Sequence, residues 1–420
     1  MKEKIFIRTF GCSLNQSDSE QMTGVLTEVG FILAPTPDNA DLIILNSCTV
    51  KGPTENSLFK EIAKWKHKKL VIAGCIPQTD KDKLKEYSLI GTRNLHQIVE
   101  VVQETLKGNL IQILTIHGNP DLTLPRIRKN KNIGIIPISR GCLGSCTFCK
   151  TKAARGNLQS YQPKDILYLA EQYLNEGANE LWLTSQDCGC YGFDIKTNLA
   201  ELLKILTDLP GDFKIRIGMA NPNHVLKILT KLIRSYKHKK VFQFLHLPIQ
   251  SGNDFILTAM KRDYSAKEFK TIISAFRKEI PNITISTDII CGFPGETEEQ
   301  FQDSLNFISW LKPLVLNISR FWPREKTPAA KMKNQLTSRL VKERSRKLHQ
   351  LFRELGKKEN EKELGRIKEV IIEEKIKNGF VGRDDNYRPI ILHETAELGQ
   401  KMNVKIVDCS AIDLRGKIIK

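Results

Sequence analysis

Between residues 133 and 321, six short runs rich in Ile, Val and Leu alternate with amphipathic stretches, and no other feature limits the fold of this chain as strongly. The strand candidates are residues 133–139, 180–185, 214–220, 241–247, 284–290 and 315–321. Helical patterns over 163–175, 199–207, 224–236, 266–278 and 298–311 separate them. Strand–helix repeats of this kind build parallel sheets with right-handed crossovers, and six units curl into a partial (β/α)6 barrel. Its reactive face is the carboxyl end of the strands. Polar or glycine-rich exits fall there: Ser185-Gln-Asp187, Asn221-Pro-Asn223, Gln250-Ser-Gly252 and Cys291-Gly-Phe-Pro-Gly-Glu296. Together they point to a small-molecule site at the barrel mouth.

The first strand runs into Arg140-Gly-Cys-Leu-Gly-Ser-Cys-Thr-Phe-Cys-Lys150, which holds three thiols at C-x3-C-x2-C spacing. A four-iron cluster takes one protein ligand per iron, so Cys142, Cys146 and Cys149 would leave one iron open for a non-protein ligand. A structural zinc site is the rival, but it generally takes four Cys or His ligands, and residues 150–156 supply no fourth. Arg140, Gly141, Gly144 and Ser145 read as a solvated loop, with the glycines letting the backbone wrap around an inorganic core.

Three further cysteines share a setting rather than a spacing. Residues 5–10 lead into Gly11-Cys12, residues 41–45 into Asn46-Ser47-Cys48, and residues 70–73 into Gly74-Cys75. Each run has the composition of a buried parallel strand, with helical stretches at 19–31 and 54–65 between them. In an open parallel α/β sheet the strand ends form one edge, so the three thiols are expected to converge there. A second cluster with an open iron fits that placement; three unrelated buried cysteines are the plain alternative. Cys188, Cys190, Cys291 and Cys409 are read as ordinary core residues.

The charge balance, 65 Lys+Arg against 47 Asp+Glu, gives +18 and favours a polyanionic partner, nucleic acid ahead of membrane. The start, Met1-Lys-Glu-Lys-Ile-Phe-Ile-Arg8, has no signal-peptide core, and no apolar stretch approaches the roughly 20 residues a bilayer span needs. Ten cysteines without an export signal point to a reducing, cytoplasmic setting and metal ligation rather than disulfides. A basic helix is expected over 337–360, followed by short β-branched strands at 367–373, 379–383, 388–392, 401–407 and 415–419. Five such strands suit a small oligonucleotide-binding-like β-barrel, with Lys375, Lys377, Arg383, Tyr387, Arg388 and Lys401 offering cations and an aromatic to RNA. The expected division is 1–120, 130–355 and 360–420.

With these motifs in place, the chain resembles the methylthiotransferase family of radical S-adenosylmethionine (SAM) enzymes over nearly its whole length. The resemblance rests on Cys142, Cys146, Phe148 and Cys149, on Gly11-Cys12, Asn46-Ser-Cys48-Thr49-Val50 and Gly74-Cys75. Within the family, Cys146-Thr-Phe-Cys-Lys-Thr-Lys-Ala-Ala-Arg155, its continuation to Tyr161, Leu181-Trp-Leu-Thr-Ser-Gln-Asp187 and Tyr191-Gly192 resemble the archaeal and eukaryotic branch. That branch modifies N6-threonylcarbamoyladenosine at position 37 of tRNA. Two departures stand out. Thr184-Ser-Gln-Asp187 occupies the place of the Gly-Gly-Glu run of many radical-SAM proteins, as it does in this family. Pro323-Arg-Glu-Lys-Thr327-Pro-Ala329 stands where the family usually reads Pro-Arg-Pro-Gly-Thr-Pro-Ala.

The resemblance implies an amino-terminal methylthiotransferase domain, a radical-SAM barrel and a carboxy-terminal TRAM domain. It implies two 4Fe-4S clusters, on Cys142/Cys146/Cys149 and on Cys12/Cys48/Cys75, with SAM as methyl donor and radical source and Phe148 beside its adenine. Carbon 2 of adenine has no acidic proton, so no side-chain acid, base or nucleophile is assigned, and radical chemistry from a cofactor is required. The implied partners are a tRNA anticodon stem-loop, a flavodoxin- or ferredoxin-like electron donor and a sulfur donor. Isopentenyladenosine in tRNA or an aspartate of a ribosomal protein are the alternative targets. A non-catalytic iron–sulfur RNA-binding redox sensor is the alternative class.

Overall fold

The computed structural model describes residues 3–49, 52–115, 118 and 121–419. Val50 of the Asn46–Cys48 element, and Met1 and Lys2 of the initial run, lie outside the described residues.

The amino-terminal body is a parallel sheet of β1 (Lys4–Thr9), β2 (Ile32–Leu33), β3 (Leu42–Ser47), β4 (Lys69–Gly74), β5 (Ser88–Gly91) and β6 (Gln112–Ile113), in the order β2-β1-β3-β4-β5-β6. Period-two alternation splits each strand between two cores. Leu42, Ile44 and Val71 face Met22, Val25, Val101 and Val102 of the helices Ser13–Glu28 and Ile98–Lys107. Ile43, Leu45 and Ile72 face Leu58, Ile62 and Trp65 of the helix Gly52–Trp65. Covered on both faces, β3 is buried at every position. Strands β2, β5 and β6 are absent from the sequence expectation because, at two to four residues, they are too short to carry a periodic signal. The first helix runs Ser13–Glu28 rather than over the expected 19–31. The extra turns bury Asn15, Ser17 and Asp18, so hydrophobic periodicity carries no trace of them.

The central body is made of β7 (Ile133–Pro137), a two-residue ribbon of β8 (Ser139–Arg140) and β9 (Gln159–Ser160), then β10 (Glu180–Thr184), β11 (Lys214–Ile217), β12 (Phe244–His246), β13 (Thr284–Cys291) and β14 (Val315–Arg320). Two parallel arcs, β7-β10-β11 and β12-β13-β14, join through the parallel bridge Ile215–Val241. The result is the expected open six-stranded barrel. Helices Pro163–Asn175, Leu199–Thr207, Pro222–Tyr236, Ala266–Glu279 and Glu298–Leu311 wrap it. Sharp starts come from Asn198, from Ser265 with Glu268, and from Thr297 with Gln300, whose side chains take up the free N–H groups of the first turn.

The 24-residue helix Ser338–Glu361 leads to a closed antiparallel-rich barrel of β15 (Ile367–Ile376), β16 (Gly379–Arg383), β17 (Pro389–Leu392), β18 (Lys401–Cys409) and β19 (Leu414–Ile418), in the order β15-β16-β17-β19-β18. The set expected to face RNA is corrected here. Tyr387 is buried against Phe242 and Phe244 of the central body and takes Arg216 and Arg383 on its ring at 5.0 and 4.5 Å. Arg383 pairs with Glu373 at 2.8 Å, Arg388 with Glu363 at 3.0 Å, and Lys401 with Asp212. Aromatic packing and ion pairing at the domain joint claim these groups; Lys375 and Lys377 stay exposed. No helix among the described residues is long and apolar enough to cross a membrane.

Candidate metal centres at the domain junction

The Cys142 loop hangs from the exit of β7 and is fixed at several points. Gly141 has φ +77°, and a Cβ there would fall 1.9 Å from the Asn157 carbonyl oxygen, so only glycine fits. The Gly144 N–H points at Cys142 Sγ at 3.2 Å. Thr147 donates through N–H to Met260 O and through its hydroxyl to Ala259 O, both at 3.0 Å, while its own carbonyl accepts from Ala329 N–H. Phe148 packs on the apolar cluster of Ile256, Met260, Phe293 and Ala329 beneath the loop. Burial pushes the Cys142 thiol up to about 11, helped by the charge of Asp187. Cys146 receives Arg262 Nη1 at 3.0 Å.

Arg262 is itself held. Its Nε reaches Tyr264 OH at 3.1 Å, and its Nη2 donates to Asn221 Oδ1. Asn221 in turn donates to the buried Asp187 through its backbone N–H at 2.9 Å and its amide at 2.7 Å. Gly189 N–H and His224 Nδ1 complete the shell of that carboxylate at 2.9 and 2.6 Å. Burial alone would raise Asp187, but the His224 and Asn221 bonds hold it below the usual carboxylate range. Asp187, His224 and Cys190 are close enough to share a metal ion, yet four donors already occupy the carboxylate. This group is a scaffold for the strand exits expected from sequence.

The second trio sits on neighbouring strands. β1, β3 and β4 are adjacent, and Cys12, Cys48 and Cys75 follow their carboxyl ends. Two glycines permit the crowding. At Gly11 (φ +145°) a Cβ would lie 2.4 Å from Cys48 Cβ, and at Gly74 (φ +94°) one would lie 2.4 Å from Ser47 O. Asn15 ties the exits together, accepting from Cys12 Sγ at 3.3 Å and donating to Ser47 O at 3.0 Å. Cys48 follows β3, between the strands that carry Cys12 and Cys75. Interaction with Cys48, with the nearby Arg155 charge working against burial, lowers Cys12 to about 7 and Cys75 to about 6; the same interaction, with burial, pushes Cys48 up.

Residues 4–90 match the uncharacterized protein family UPF0004, residues 136–308 the Radical SAM superfamily, and residues 361–419 the TRAM domain. The probable threonylcarbamoyladenosine tRNA methylthiotransferase of Pyrococcus horikoshii is 40% identical over 99% of this chain and 99% of its own. The threonylcarbamoyladenosine tRNA methylthiotransferase of Homo sapiens is 40% identical over 99% of this chain and 74% of its own. The chain belongs to the threonylcarbamoyladenosine tRNA methylthiotransferase family. A solved structure of the radical S-adenosylmethionine methyltransferase TsrM from Kitasatospora setae, with cobalamin and a 4Fe-4S cluster bound, shares 12% identity and a TM-score of 0.54 over 78% of this chain and 77% of its own. That likeness is one of fold.

Membership of the radical SAM superfamily brings SAM and a four-iron cluster. The Cys142 loop suits such a group: the Gly144 N–H already points at Cys142 Sγ, and the Arg262 guanidinium sets a cation against Cys146 Sγ to offset thiolate charge. In this methylthiotransferase the two bodies that carry the cysteine sets meet across a charged, buried junction. Arg140 and Arg155, from either side of the Cys142 loop, both pair with Asp18 of the amino-terminal body, at 2.7 and 2.9 Å. Lys150 joins Asp80 and Glu55, and Arg324 reaches Glu55 at 2.7 Å and Thr49 at 2.8 Å. Arg140 and Gly141 are therefore buried rather than solvated; only Leu143 and Ser145 of that loop are exposed. Sequence reasoning missed Asp18, Arg262 and Arg324, because an ion pair between distant residues leaves no local pattern. Trp322, at the exit of β14, lies 63% exposed with its ring over Gly52.

Proposed function

We propose that this protein adds a methylthio group to carbon 2 of N6-threonylcarbamoyladenosine at position 37 of tRNA. Identity of 40% to named relatives over 99% of the chain supports the substrate class. The observation that carries the chemistry is the pair of separate three-thiol sets facing one junction, since one set alone would leave sulfur insertion without a site. Cys142, Cys146 and Cys149 would hold the SAM-binding cluster, and Cys12, Cys48 and Cys75 a second one. When bound, these groups supply a 5′-deoxyadenosyl radical and the methylthio unit. The chain's own part is placement. Gly144 and Arg262 orient the first thiol set, Phe148 supports its loop from below, and Asn15 and Arg155 order the second.

The target base lies in a single-stranded loop and can be splayed into the barrel mouth, where the exposed Trp322 indole offers a stacking face. The basic surface would draw the anticodon stem, so binding weakens with salt. An electron donor of the flavodoxin or ferredoxin type, a sulfur donor and a cytoplasmic setting complete the reading.

Mass spectrometry of tRNA nucleosides from a deletion strain tests the substrate. Loss of the methylthio form of threonylcarbamoyladenosine is expected; its persistence, with loss of methylthio-isopentenyladenosine instead, would overturn the assignment. Alanine at Cys142, Cys146 or Cys149 should abolish 5′-deoxyadenosine formation by at least about a hundredfold, a loss of some 2.7 kcal/mol in barrier terms. Alanine at Cys12, Cys48 or Cys75 should retain measurable SAM cleavage while ending methylthio transfer. Identical behaviour of both groups would refute the division of labour.

A further inference from the structure

Arg155 belongs to the radical-SAM segment, yet its head lies among the thiols of the other body. It ends the short helix Thr151–Arg155, and Gly156 (φ +75°) turns the chain away behind it. Its carbonyl is gripped by Arg93 Nη2 at 2.6 Å, so the backbone is anchored from the amino-terminal side. The side chain is 1% exposed; Nε donates to Cys75 Sγ at 3.3 Å, and Nη2 stands 2.9 Å from Asp18 Oδ2. Nη1 is buried and has no hydrogen-bond partner among the described residues.

A buried guanidinium cannot shed its proton, so its charge persists beside the thiols. Asp18 offsets that charge only in part, because the same carboxylate also serves Arg140 at 2.7 Å. Two arginines to one carboxylate leave a net positive environment. An unpaired N–H buried there is costly unless something accepts from it. Sulfur atoms held between Cys12, Cys48 and Cys75 are acceptors of the right kind, and hydrogen bonds to the sulfurs are a recognised lever on cluster potential.

We propose that Arg155 is a positioning residue that sets the reduction potential of the cluster held by Cys12, Cys48 and Cys75. The assignment rests on the two-cluster reading above. The reduced cluster carries one more negative charge than the oxidised one, and the guanidinium stabilises that form preferentially.

The test is a redox titration of the loaded enzyme followed by electron paramagnetic resonance, with SAM added to mark the centre whose signal it perturbs. R155M should lower the potential of the SAM-insensitive centre, shifting its one-electron equilibrium about tenfold, or roughly 59 mV. R155K, which keeps the charge, should restore most of that shift. D18N, which leaves Arg155 in place but removes its counter-charge, should move the potential the opposite way. The SAM-responsive centre should stay put in R155M and R155K; D18N also strips Arg140, beside Cys142, of its counter-charge, so that variant is read at the SAM-insensitive centre alone. If R155M does not load the second centre, D18N carries the comparison. Equal potentials in wild type, R155M and D18N, or parallel movement of both centres in R155M, overturn the assignment. A wild-type enzyme with a single four-iron centre overturns the two-cluster reading and this assignment with it.

Discussion

Lys326 shows how a single backbone angle survives a change of residue. It stands in the loop Pro323–Ala329 at the place where the family resemblance leads one to expect glycine, and it still adopts φ +67°. A left-handed conformation costs a β-carbon-bearing residue about 1–2 kcal/mol, and the side chain recovers part through Nζ on Thr79 O at 3.0 Å. The loop keeps its shape because Arg324 beside it is locked to Glu55 and Thr49. K326G removes the strain but adds freedom to the unfolded chain, so a net gain of roughly 0.5–1 kcal/mol in chemical denaturation is expected. A loss would mean the Thr79 bond outweighs the strain. The cysteines were legible at this scale because few residue types ligate iron. Arg155 and Asp18 were not, since a charge reveals its partner only in space.

At the scale of elements, the helix Ser13–Glu28 packs a polar face inward. Arg126 Nη1 donates to Ser17 Oγ at 2.8 Å and Ile127 N–H to Glu20 O at 3.0 Å, so the segment linking the first two bodies lies along it. Gly24 makes that approach possible: a Cβ there would meet the Pro125 carbonyl oxygen at 2.2 Å. In an isolated helix Gly→Ala gains about 1 kcal/mol. Here G24A should instead cost about 1–3 kcal/mol, because backbone cannot yield as a side chain can. Thermal unfolding of the two proteins side by side decides the sign. Helices with an apolar stripe, such as Glu298–Leu311 and Leu199–Thr207, were readable to the residue. The start of Ser13–Glu28 was hidden by its buried Asn, Ser and Asp side chains.

For the molecule as a whole, the joint between central and carboxy-terminal bodies contains a buried acid pair. Burial first, then the charge of Glu373, push Glu180 well above its ordinary 4.5. Trp182 Nε1 donates to Glu180 Oε2 at 3.0 Å, and Arg383 Nε donates to Glu373 Oε2 at 2.8 Å. Folded Glu180 thus holds a proton that the unfolded chain releases above about pH 4.5. Its contribution to stability is full below that pH and declines as pH rises toward the elevated folded value. E180Q keeps the shape without the ionisation, so it should raise Tm at about pH 8 and match wild type near pH 4. A constant difference across that range would show that the proton is not the cause.

Local patterns of apolar residues were enough to determine three bodies, the barrel's strand count and six candidate iron ligands, because hydrophobic period and thiol chemistry are properties of neighbours along the chain. Only the tertiary structure decided that Cys12, Cys48 and Cys75 stand on adjacent strands, that Arg140 and Arg155 converge on Asp18, and that Tyr387 faces a protein core rather than solvent. Each depends on which distant segments meet, and Coulomb and packing energies act through space between residues that sequence keeps far apart.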